Sequence, residues 1–268
     1  MQKIILVTGS TDGIGFETAK RLVNEGHYVL LHGRNAEKLK KVEAILSEIK
    51  TTGRVESYVA DLSMMSDVIQ LAQDIRAKHA TLDVLINNAG VYSAPKLITN
   101  DGLDVRFAVN TFAPYLLTLN LLPLLPSGRV VNLSSAAQSS VDLDALKGLR
   151  KLSDGEAYAQ SKLALTIWSQ HLGLECKETG PMIVSVNPAS MLGSKMVKDA
   201  FGVSGGDLNI GSDILVRAAL SNEFTTASGL YFDNDIGQFS QPHPEARNEK
   251  KVQDIMMAIE TTLAGVIQ

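Results

Sequence analysis

Short runs of aliphatic and β-branched residues alternate with helical patterns along nearly the whole chain. Seven such runs lie at residues 4–9, 28–33, 55–60, 83–89, 129–134, 182–187 and 229–233. Helical patterns lie near 14–25, 36–50, 64–78, 103–125, 156–178, 210–221 and 245–264. The runs are almost continuously apolar, which is typical of strands buried on both faces. The alternation therefore predicts an α/β fold, a doubly wound parallel sheet of about seven strands with helices on both faces.

Bulk properties favour one water-soluble domain over 1–268, since no Pro/Gly/Ser-rich linker divides the 268 residues. A net charge of −4 gives no reason to expect nucleic acid or an anionic membrane surface as a partner. The single Cys176 excludes an intrachain disulfide, fits a reducing compartment, and is interpreted as a packed helix residue rather than a catalytic thiol.

Targeting signals are not expected either. The N-terminus runs directly into a strand, with too short an apolar stretch for a signal peptide. The longest apolar stretch, 116–125, is interrupted by Asn120 and Pro123 and is predicted to fall short of a membrane span. We therefore expect a cytoplasmic protein without membrane contact. Five scattered histidines without ligand spacing give no reason to expect a metal site.

Polar and glycine-rich sequences end several of the predicted strands: Thr8–Gly9, Asn87–Gly90, Ser134–Ser135 and Asn187–Pro188. In open parallel sheets, ligands bind beyond the carboxyl ends of the strands. We therefore expect one edge of the sheet to carry all candidate site residues.

The turn after the first strand reads TGSTDGIG, with glycines at 9, 13 and 15. Gly9 permits a tight turn, whereas Gly13 and Gly15 let the backbone approach a phosphate and the strand. Glycine spacing alone does not separate a nucleotide site from an ordinary strand–helix turn.

Tyr158 and Lys162 are four residues apart in AYAQSK, so both lie on one face of a predicted helix. A second pair with the same spacing, Tyr92 and Lys96, is interrupted by Pro95, which disfavours helix at that point. The first pair is therefore the candidate for chemistry, and the second is expected in a loop.

These motifs together resemble the short-chain dehydrogenase/reductase family over residues 4 to about 235. The matching features are the Gly-x-x-x-Gly-x-Gly turn, the Asn-Asn-Ala-Gly sequence at 87–90 and the Tyr–Lys pair. The resemblance implies a Rossmann-type fold, hydride transfer between a nicotinamide cofactor and a carbonyl or alcohol, and a catalytic tetrad of Asn110, Ser135, Tyr158 and Lys162. The 23-residue spacing from Ser135 to Tyr158 resembles the branch that contains retinol dehydrogenases, although the N-terminal membrane anchor of those relatives is not expected here.

The family's roles can be carried over to this tetrad. Lowering the tyrosine pKa from about 10 to about 7 requires about 4 kcal/mol, which a unit charge at about 4 Å supplies at an effective dielectric of about 20. Lys162 is therefore sufficient to activate Tyr158 as the general acid/base. Ser135, rather than Ser134, would stabilise charge on the substrate oxygen. Asn110 would hold a water on a proton path to Lys162.

The resemblance also implies the cofactor contacts, which are Gly9, Ser10, Thr11, Gly13, Ile14, Gly15, Arg34, Asp61, Leu62, Asn88, Ala89, Gly90, Tyr158 and Lys162. Strand two ends in HGRN, with Arg34 where NAD-dependent members place an acid. A guanidinium suits a 2′-phosphate, so NADP(H) is favoured over NAD(H). The alternative is that Arg34 is a solvated loop residue. Asp12 stands where some NADP-dependent relatives carry a second base.

A glycine-rich segment over 190–206 is predicted to form a substrate lid. Its apolar side chains either line an apolar pocket or pack against the protein body; they are Met191, Leu192, Met196, Val197 and Phe201. Just before it, Ala189 occupies a position where the family usually has glycine.

The sequence thus predicts an NADP(H)-dependent oxidoreductase acting on a small, largely apolar carbonyl or alcohol, with Tyr158 as acid/base. A non-catalytic NADP(H)-binding redox sensor on the same fold is the main alternative. A sugar-nucleotide epimerase or dehydratase shares the Tyr–Lys pair but would need a larger C-terminal region than the roughly 35 residues here. A homodimer or homotetramer that pairs through the long helices near 103–125 and 156–178 is expected from the resemblance.

Overall fold

A computed structural model of the chain describes residues 1–267. Within them, eight strands form one sheet. The strands are β1 (Ile4–Val7), β2 (Tyr28–Gly33), β3 (Arg54–Val59), β4 (Val84–Asn87), β5 (Arg129–Leu133), β6 (Met182–Asn187), β7 (Tyr231–Asp233) and β8 (Gln238–Ser240).

Helices connect these strands. They are α1 (Gly13–Asn24), α2 (Ala36–Ser47), α3 (Met65–Lys78), α4 (Val105–Phe107), α5 (Ala113–Leu121), α6 (Leu143–Leu146), α7 (Asp154–Glu175), α8 (Lys195–Phe201), α9 (Leu208–Leu220) and α10 (Glu249–Val266). Short 3₁₀ turns cover Leu122–Leu124, Asn222–Phe224 and Pro244–Arg247.

The strand order is β3-β2-β1-β4-β5-β6-β7-β8, and β1 to β7 are parallel. Alternate residues of the strands point to opposite faces. One apolar core lies between the sheet and α3, α5, α7 and α10, and the other lies beneath α1, α2 and α9. The order reverses between β1 and β4, so a crevice opens where these two strands end.

The predicted doubly wound α/β sheet is confirmed, with two additions. β8 pairs antiparallel to β7 through Tyr231 and Ser240, forming a hairpin at the sheet edge that the sequence pattern did not reveal. A short helix, α8, lies inside the predicted lid, and none of its residues is buried. A three-residue strand and an exposed seven-residue helix carry too little periodic pattern to predict.

The helical stretch Val105–Leu124 passes through the core between α3 and α7. The sequence analysis expected this region to fall short of a membrane span. By length and composition alone, however, the helical stretch could cross a membrane. Its most apolar window is 72% buried in the protein. Between α4 and α5 it widens into one π-helical turn over Ala108–Phe112. Such single turns often mark functional sites, and this one contains Asn110.

Candidate active site

The glycine-rich turn after β1 is fastened to the end of β4. The Thr8 hydroxyl accepts hydrogen bonds from the N–H groups of Asn88 (3.0 Å) and Ala89 (3.1 Å). In return, the Asn88 amide donates to the carbonyls of Thr8 (2.8 Å) and Gly9 (3.1 Å). A side chain at Gly15 would lie 2.3 Å from the Gly9 carbonyl, so only glycine allows α1 to begin this close to the strand.

The first turn of α1 offers donors to an anion. The helix is capped by Asp12, whose carboxylate accepts from the Gly13 N–H at 2.8 Å. The N–H groups of Ile14 and Gly15 precede the first intrahelical bond and have no acceptor among residues 1–267. With Gly13 at φ +55°, this turn is an open backbone cradle of the type that holds phosphate.

Ser10 and Thr11 face the protein rather than the crevice. The Ser10 hydroxyl donates to the His32 carbonyl (3.2 Å) and accepts from the His32 N–H (2.9 Å). The Thr11 methyl lies 2.6 Å from where a side chain at Gly33 would begin. The Ser10 side chain thus holds the turn to β2, and contact of Ser10 and Thr11 with the cofactor stays a prediction.

The ring of His32 joins two parts of the candidate cofactor site. Its Nδ1 accepts from the Gly9 N–H at 3.1 Å, and its Nε2 lies 3.2 Å from the Ala60 carbonyl. Burial lowers the pKa of His32 to about 4, so the ring is neutral and Nε2 carries the proton that Ala60 accepts. His32 is therefore a structural residue.

Arg34 follows β2 at the crevice edge, where it is exposed and forms no ion pair within the described residues 1–267. Asp61 and Leu62 follow β3. The Asp61 carboxylate accepts from the Ser63 N–H at 3.0 Å, and the Leu62 side chain is buried in the core. The Asp61 N–H donates to the Asp67 carboxylate at 3.2 Å, and contact of this turn with an adenine stays a prediction.

Lys162 is buried on α7 with its ammonium at the end of β5. Its Nζ donates a 2.6 Å hydrogen bond to the Leu133 carbonyl and lies 5.8 Å from the centre of the Tyr158 ring. Burial lowers the pKa of Lys162 to about 8. The ammonium is thus next to the tyrosine without contacting its hydroxyl.

Tyr158 is half-buried on the same face of α7, one turn before Lys162. Burial raises its pKa, hydrogen bonding with the Ser135 side chain lowers it to a smaller extent, and the neighbouring Tyr92 raises it again. In this structure the tyrosine hydroxyl therefore holds its proton at neutral pH. The strong lowering of its pKa by Lys162 that the sequence analysis expected is not present.

The two adjacent serines have different surroundings. The Ser134 hydroxyl is buried and lies 2.6 Å from the Thr166 hydroxyl, beneath the site. Ser135 is half-buried, on the Tyr158 side, and its hydroxyl accepts from the Ala137 N–H at 3.1 Å. The structure therefore brings Ser135, and not Ser134, to the tyrosine.

Asn110 is fully buried in the π-helical turn. Its amide donates to the Val91 carbonyl and the Ser161 hydroxyl, both at 2.9 Å, and its Oδ1 accepts from the Val91 N–H at 2.8 Å. Both amide protons are therefore used within the protein. The Asn110 side chain is thus fully engaged, and a water held by this residue would bind its backbone carbonyl.

Gly90 lies at the centre of these groups. A side chain at this position would begin 3.5 Å from both the Lys162 Nζ and the Asn110 Oδ1. The absence of a side chain leaves the crevice open from the α1 cradle to the tetrad. These residues are compatible with a bound dinucleotide, which the cradle at Ile14 and Gly15 and the open space at Gly90 would hold.

The lid reaches over the crevice from the end of β6. Its Met196 methyl lies 3.8 Å from where a side chain at Gly90 would begin. The Phe201 ring packs 5.4 Å from that of Tyr92, which in turn packs 5.2 Å from Tyr158. A backbone bridge from Leu192 to Gly206 joins the two ends of the lid.

Sequence reasoning missed the role of Tyr92, because it considered that residue only as half of a broken Tyr–Lys pair. Tyr92 and Lys96 do lie in a loop, as predicted. The signal that could have identified Tyr92 was its position two residues after the Asn-Asn-Ala-Gly sequence, since that sequence ends the strand beside the site.

The turn at the base of the lid was also only partly foreseen. Ala189 has φ +111° and Met191 has φ +55°, both unusual for residues with a side chain. Asp235, after β7, accepts from the Ser190 N–H (2.7 Å), the Ser190 hydroxyl (2.6 Å) and the Asn187 amide (2.9 Å). Through Asp235, the β7–β8 hairpin thus holds the turn in a backbone conformation that alanine does not favour.

Three comparisons with known proteins bear on this site. A family model described as short chain dehydrogenase matches residues 3–202. Human polyprenol dehydrogenase is 39% identical over 179 residues, which cover 63% of this chain and 54% of that protein. The chain thus aligns with about half of the length of that relative. Human retinol dehydrogenase 13 is 29% identical over 268 residues, covering 92% of this chain and 80% of that protein.

Solved structures agree with these relatives. A short chain dehydrogenase from Shigella flexneri 2a, complexed with NADP, superposes with a TM-score of 0.69 at 30% identity, covering 87% of this chain and 97% of that one. An uncharacterised Mycobacterium paratuberculosis protein, at 24% identity and a TM-score of 0.79, shares the fold over 97% of this chain and 93% of its own. With the family model and these relatives, the Rossmann-type sheet places the chain in the short-chain dehydrogenase/reductase family, in its retinol-dehydrogenase-like branch.

Proposed function

We propose that the chain is an NADP(H)-dependent oxidoreductase that interconverts a carbonyl and an alcohol, with Tyr158 as general acid/base. One observation carries the proposal. Tyr158, Ser135 and Lys162 converge beside Gly90, on the same sheet edge as the glycine-rich turn. A pocket with a proton donor, a hydroxyl partner and a buried cation next to a nucleotide cradle suits reduction of a polarised C=O bond.

Proton transfer is the task of Tyr158. Because burial raises its pKa, the hydroxyl is protonated at neutral pH and can donate to a substrate oxygen. Ser135 would donate to the same oxygen and stabilise its developing charge. A bound NADPH would supply the hydride. This protonation state favours the direction of carbonyl reduction.

Lys162 and Asn110 would restore the proton. The Lys162 ammonium, with a pKa of about 8, can give up and regain a proton near neutral pH. A water on the Asn110 carbonyl would link Lys162 to solvent, while the Asn110 side chain holds Val91 and Ser161 in place. The role of Asn110 is therefore proposed for its backbone oxygen.

NADP(H) is proposed over NAD(H) because Arg34 is exposed at the end of β2, where a ribose 2′-phosphate would lie. Shigella and Escherichia coli short chain dehydrogenases of similar fold are described as complexed with NADP and NADPH. Replacing Arg34 by serine is expected to lower kcat/KM for NADPH about 10- to 100-fold and to change that for NADH little. The exposed Lys40 on α2 is the charge-matched control, as K40S.

The substrate is proposed to be a small, largely apolar carbonyl compound or alcohol. Tyr92 and Phe201 form an aromatic wall next to Tyr158, and relatives are named for retinol and polyprenol.

We also propose that the protein is cytoplasmic. Pairing of two copies through α5 and α7 stays a prediction. Since α10 packs against α7 and Glu260 accepts from the Tyr115 hydroxyl at 3.2 Å, copies would have to pair around α10. Light scattering measures the mass of the protein in solution and so tests whether copies pair.

A catalytically idle redox sensor is the second candidate, and Tyr158 separates the two. A panel of aldehydes, ketones and quinones is tested by following NADPH absorbance. Tyr158→Phe is expected to lower kcat about 1,000-fold while NADPH binding, measured by fluorescence titration, is retained. Tyr115→Phe, which removes a hydroxyl far from the sheet edge, serves as control. If the wild-type chain turns over no member of the panel, the sensor is the better description.

A further inference from the structure

Arg106, in α4, is a buried cation outside the tetrad, with only 1% of its surface exposed. Its guanidinium binds both oxygens of Asp104, from Nε at 2.7 Å and from Nη2 at 2.6 Å. Its Nη1 donates to the carboxylate of Asp154. The paired geometry is the one in which an arginine–carboxylate bridge is strongest.

The two ends of this bridge stand in equivalent positions on two different helical segments. Arg106 lies four residues before Asn110, and Asp154 lies four residues before Tyr158. One helical turn therefore separates each end of the bridge from a residue of the tetrad. Asp154 is the first residue of α7, and Asp104 caps α4 by accepting from the Arg106 N–H at 2.9 Å.

A second connection joins the same two segments on the other side of Tyr158. The Asn110 amide donates to the Ser161 hydroxyl at 2.9 Å, and the Thr111 hydroxyl donates to the Ser161 carbonyl at 2.8 Å. Tyr158 is thus held between two cross-connections, at residues 154 and 161. Of these, the Arg106–Asp154 bridge is the ionic one and is nearer to the open side of the crevice, where the Asp154 side chain is 43% exposed.

We infer that Arg106 is a positioning residue. By holding Asp104 and Asp154 together, it fixes α7 against the helix of Asn110, and so sets how far the Tyr158 hydroxyl reaches into the crevice. This inference rests on the proposed function, in which that hydroxyl protonates the substrate. A displacement of the donor by about 1 Å can lower a rate about 100-fold without changing how the cofactor binds.

The test begins with Asp154→Ala, because Arg106 then keeps its pair with Asp104 and no buried charge is left alone. With a substrate found in the carbonyl panel, kcat is expected to fall about tenfold while KM for NADPH changes by less than about twofold. A matched control is Asp213→Ala, which breaks an ion pair between α9 and Arg21 of α1 (3.0 Å) on the opposite face of the sheet. It should leave kcat unchanged.

A double variant, R106Q/D104N, removes the bridge from the other side without leaving an unpaired buried charge. If Asp154 acts through Arg106, adding Asp154→Ala to that background lowers kcat no further. An additional loss of similar size would overturn the inference. So would a kcat for Asp154→Ala that equals wild type, or an equal loss in the Asp213→Ala control.

Amide hydrogen exchange provides a readout that does not need turnover. In Asp154→Ala, exchange over 105–112 and 154–161 is expected to accelerate, while α1 and α9 stay as in wild type. If the wild-type chain reduces nothing in the panel, the proposed function fails, and exchange alone decides the inference. Unchanged exchange in both segments would then refute it.

Discussion

Among residues 1–267, the ammonium of Lys162 is bound to a single oxygen, the carbonyl of Leu133, at 2.6 Å. A buried charge with one backbone partner costs stability, because desolvation is only partly offset. Lys162→Met, which keeps the length of the side chain, is expected to raise the free energy of unfolding by about 1–3 kcal/mol while abolishing turnover. Urea unfolding at neutral pH measures the first effect.

The pH dependence of that gain follows from the pKa of about 8, lowered from 10.5 by burial. Between these values the unfolded chain binds more protons than the folded one, so the wild-type protein becomes more stable as pH rises. The advantage of Lys162→Met should therefore be full below pH 8 and should vanish toward pH 10.5. An advantage that is constant across this range would contradict the assignment.

Ser135 and Ser134 provide a matched pair of variants. Ser135→Ala is expected to lower kcat about 100-fold with little change in stability, because its hydroxyl lies on the Tyr158 side and is proposed to stabilise charge on the substrate oxygen. Ser134→Ala removes a buried hydroxyl 2.6 Å from that of Thr166 and should cost about 1 kcal/mol of stability, with kcat nearly unchanged. Steady-state kinetics and thermal unfolding of both variants test this assignment. A loss of kcat in Ser134→Ala and a loss of stability in Ser135→Ala would exchange the two roles.

Ala189 has a backbone conformation that glycine adopts without strain, φ +111°. Ala189→Gly is expected to stabilise the protein by about 1 kcal/mol, or roughly 2–4 °C in Tm. Because Asp235 holds this turn, Asp235→Ala should cost less in the glycine background than in wild type. Thermal unfolding of the four proteins measures this coupling, and strictly additive effects would show that the two residues act independently.

Glu56, on the edge strand β3, predicts how the protein responds to acid. Burial opposes its ionisation, but hydrogen bonds from Lys78, Tyr28 and Tyr58 outweigh burial and lower its pKa from 4.5 to about 2. Between those values the folded chain binds fewer protons than the unfolded one, so the stabilisation is lost as pH falls from 4.5 to 2.

Glu56→Gln should therefore cost about 1–2 kcal/mol at neutral pH and flatten the loss of stability in that acid window. Denaturant unfolding at a series of pH values measures both effects. Glu37, an exposed residue of α2, is the control as Glu37→Gln, which should leave the acid profile unchanged.

Much of the fold was predictable because strands buried on both faces read as continuous apolar runs. The candidate site was predictable to the extent that its residues follow strand ends, as Asn88 and Ser135 do. Because the strand order reverses between β1 and β4, the fold itself then brings these residues together. The Tyr158–Lys162 pair needed only the helical repeat.

Contacts between distant segments were not predictable in the same way. The link from Arg106 to Asp154 spans 48 positions, and neither residue belongs to a motif. Ser10 lies in the glycine-rich turn, but the bond of its hydroxyl to β2 does not follow from that motif. The pKa of Tyr158 depends on its burial and on its neighbours Ser135 and Tyr92, which no spacing encodes.

The bridge between Leu192 and Gly206 closes the lid at its root, since the Gly193 N–H donates to the Gly206 carbonyl at 2.7 Å and the Gly206 N–H to the Met191 carbonyl at 2.8 Å. The chain therefore enters and leaves this segment at neighbouring points. We expect that a segment joined to the body in this way can be grafted between enzymes of this fold, which would test whether it sets substrate preference.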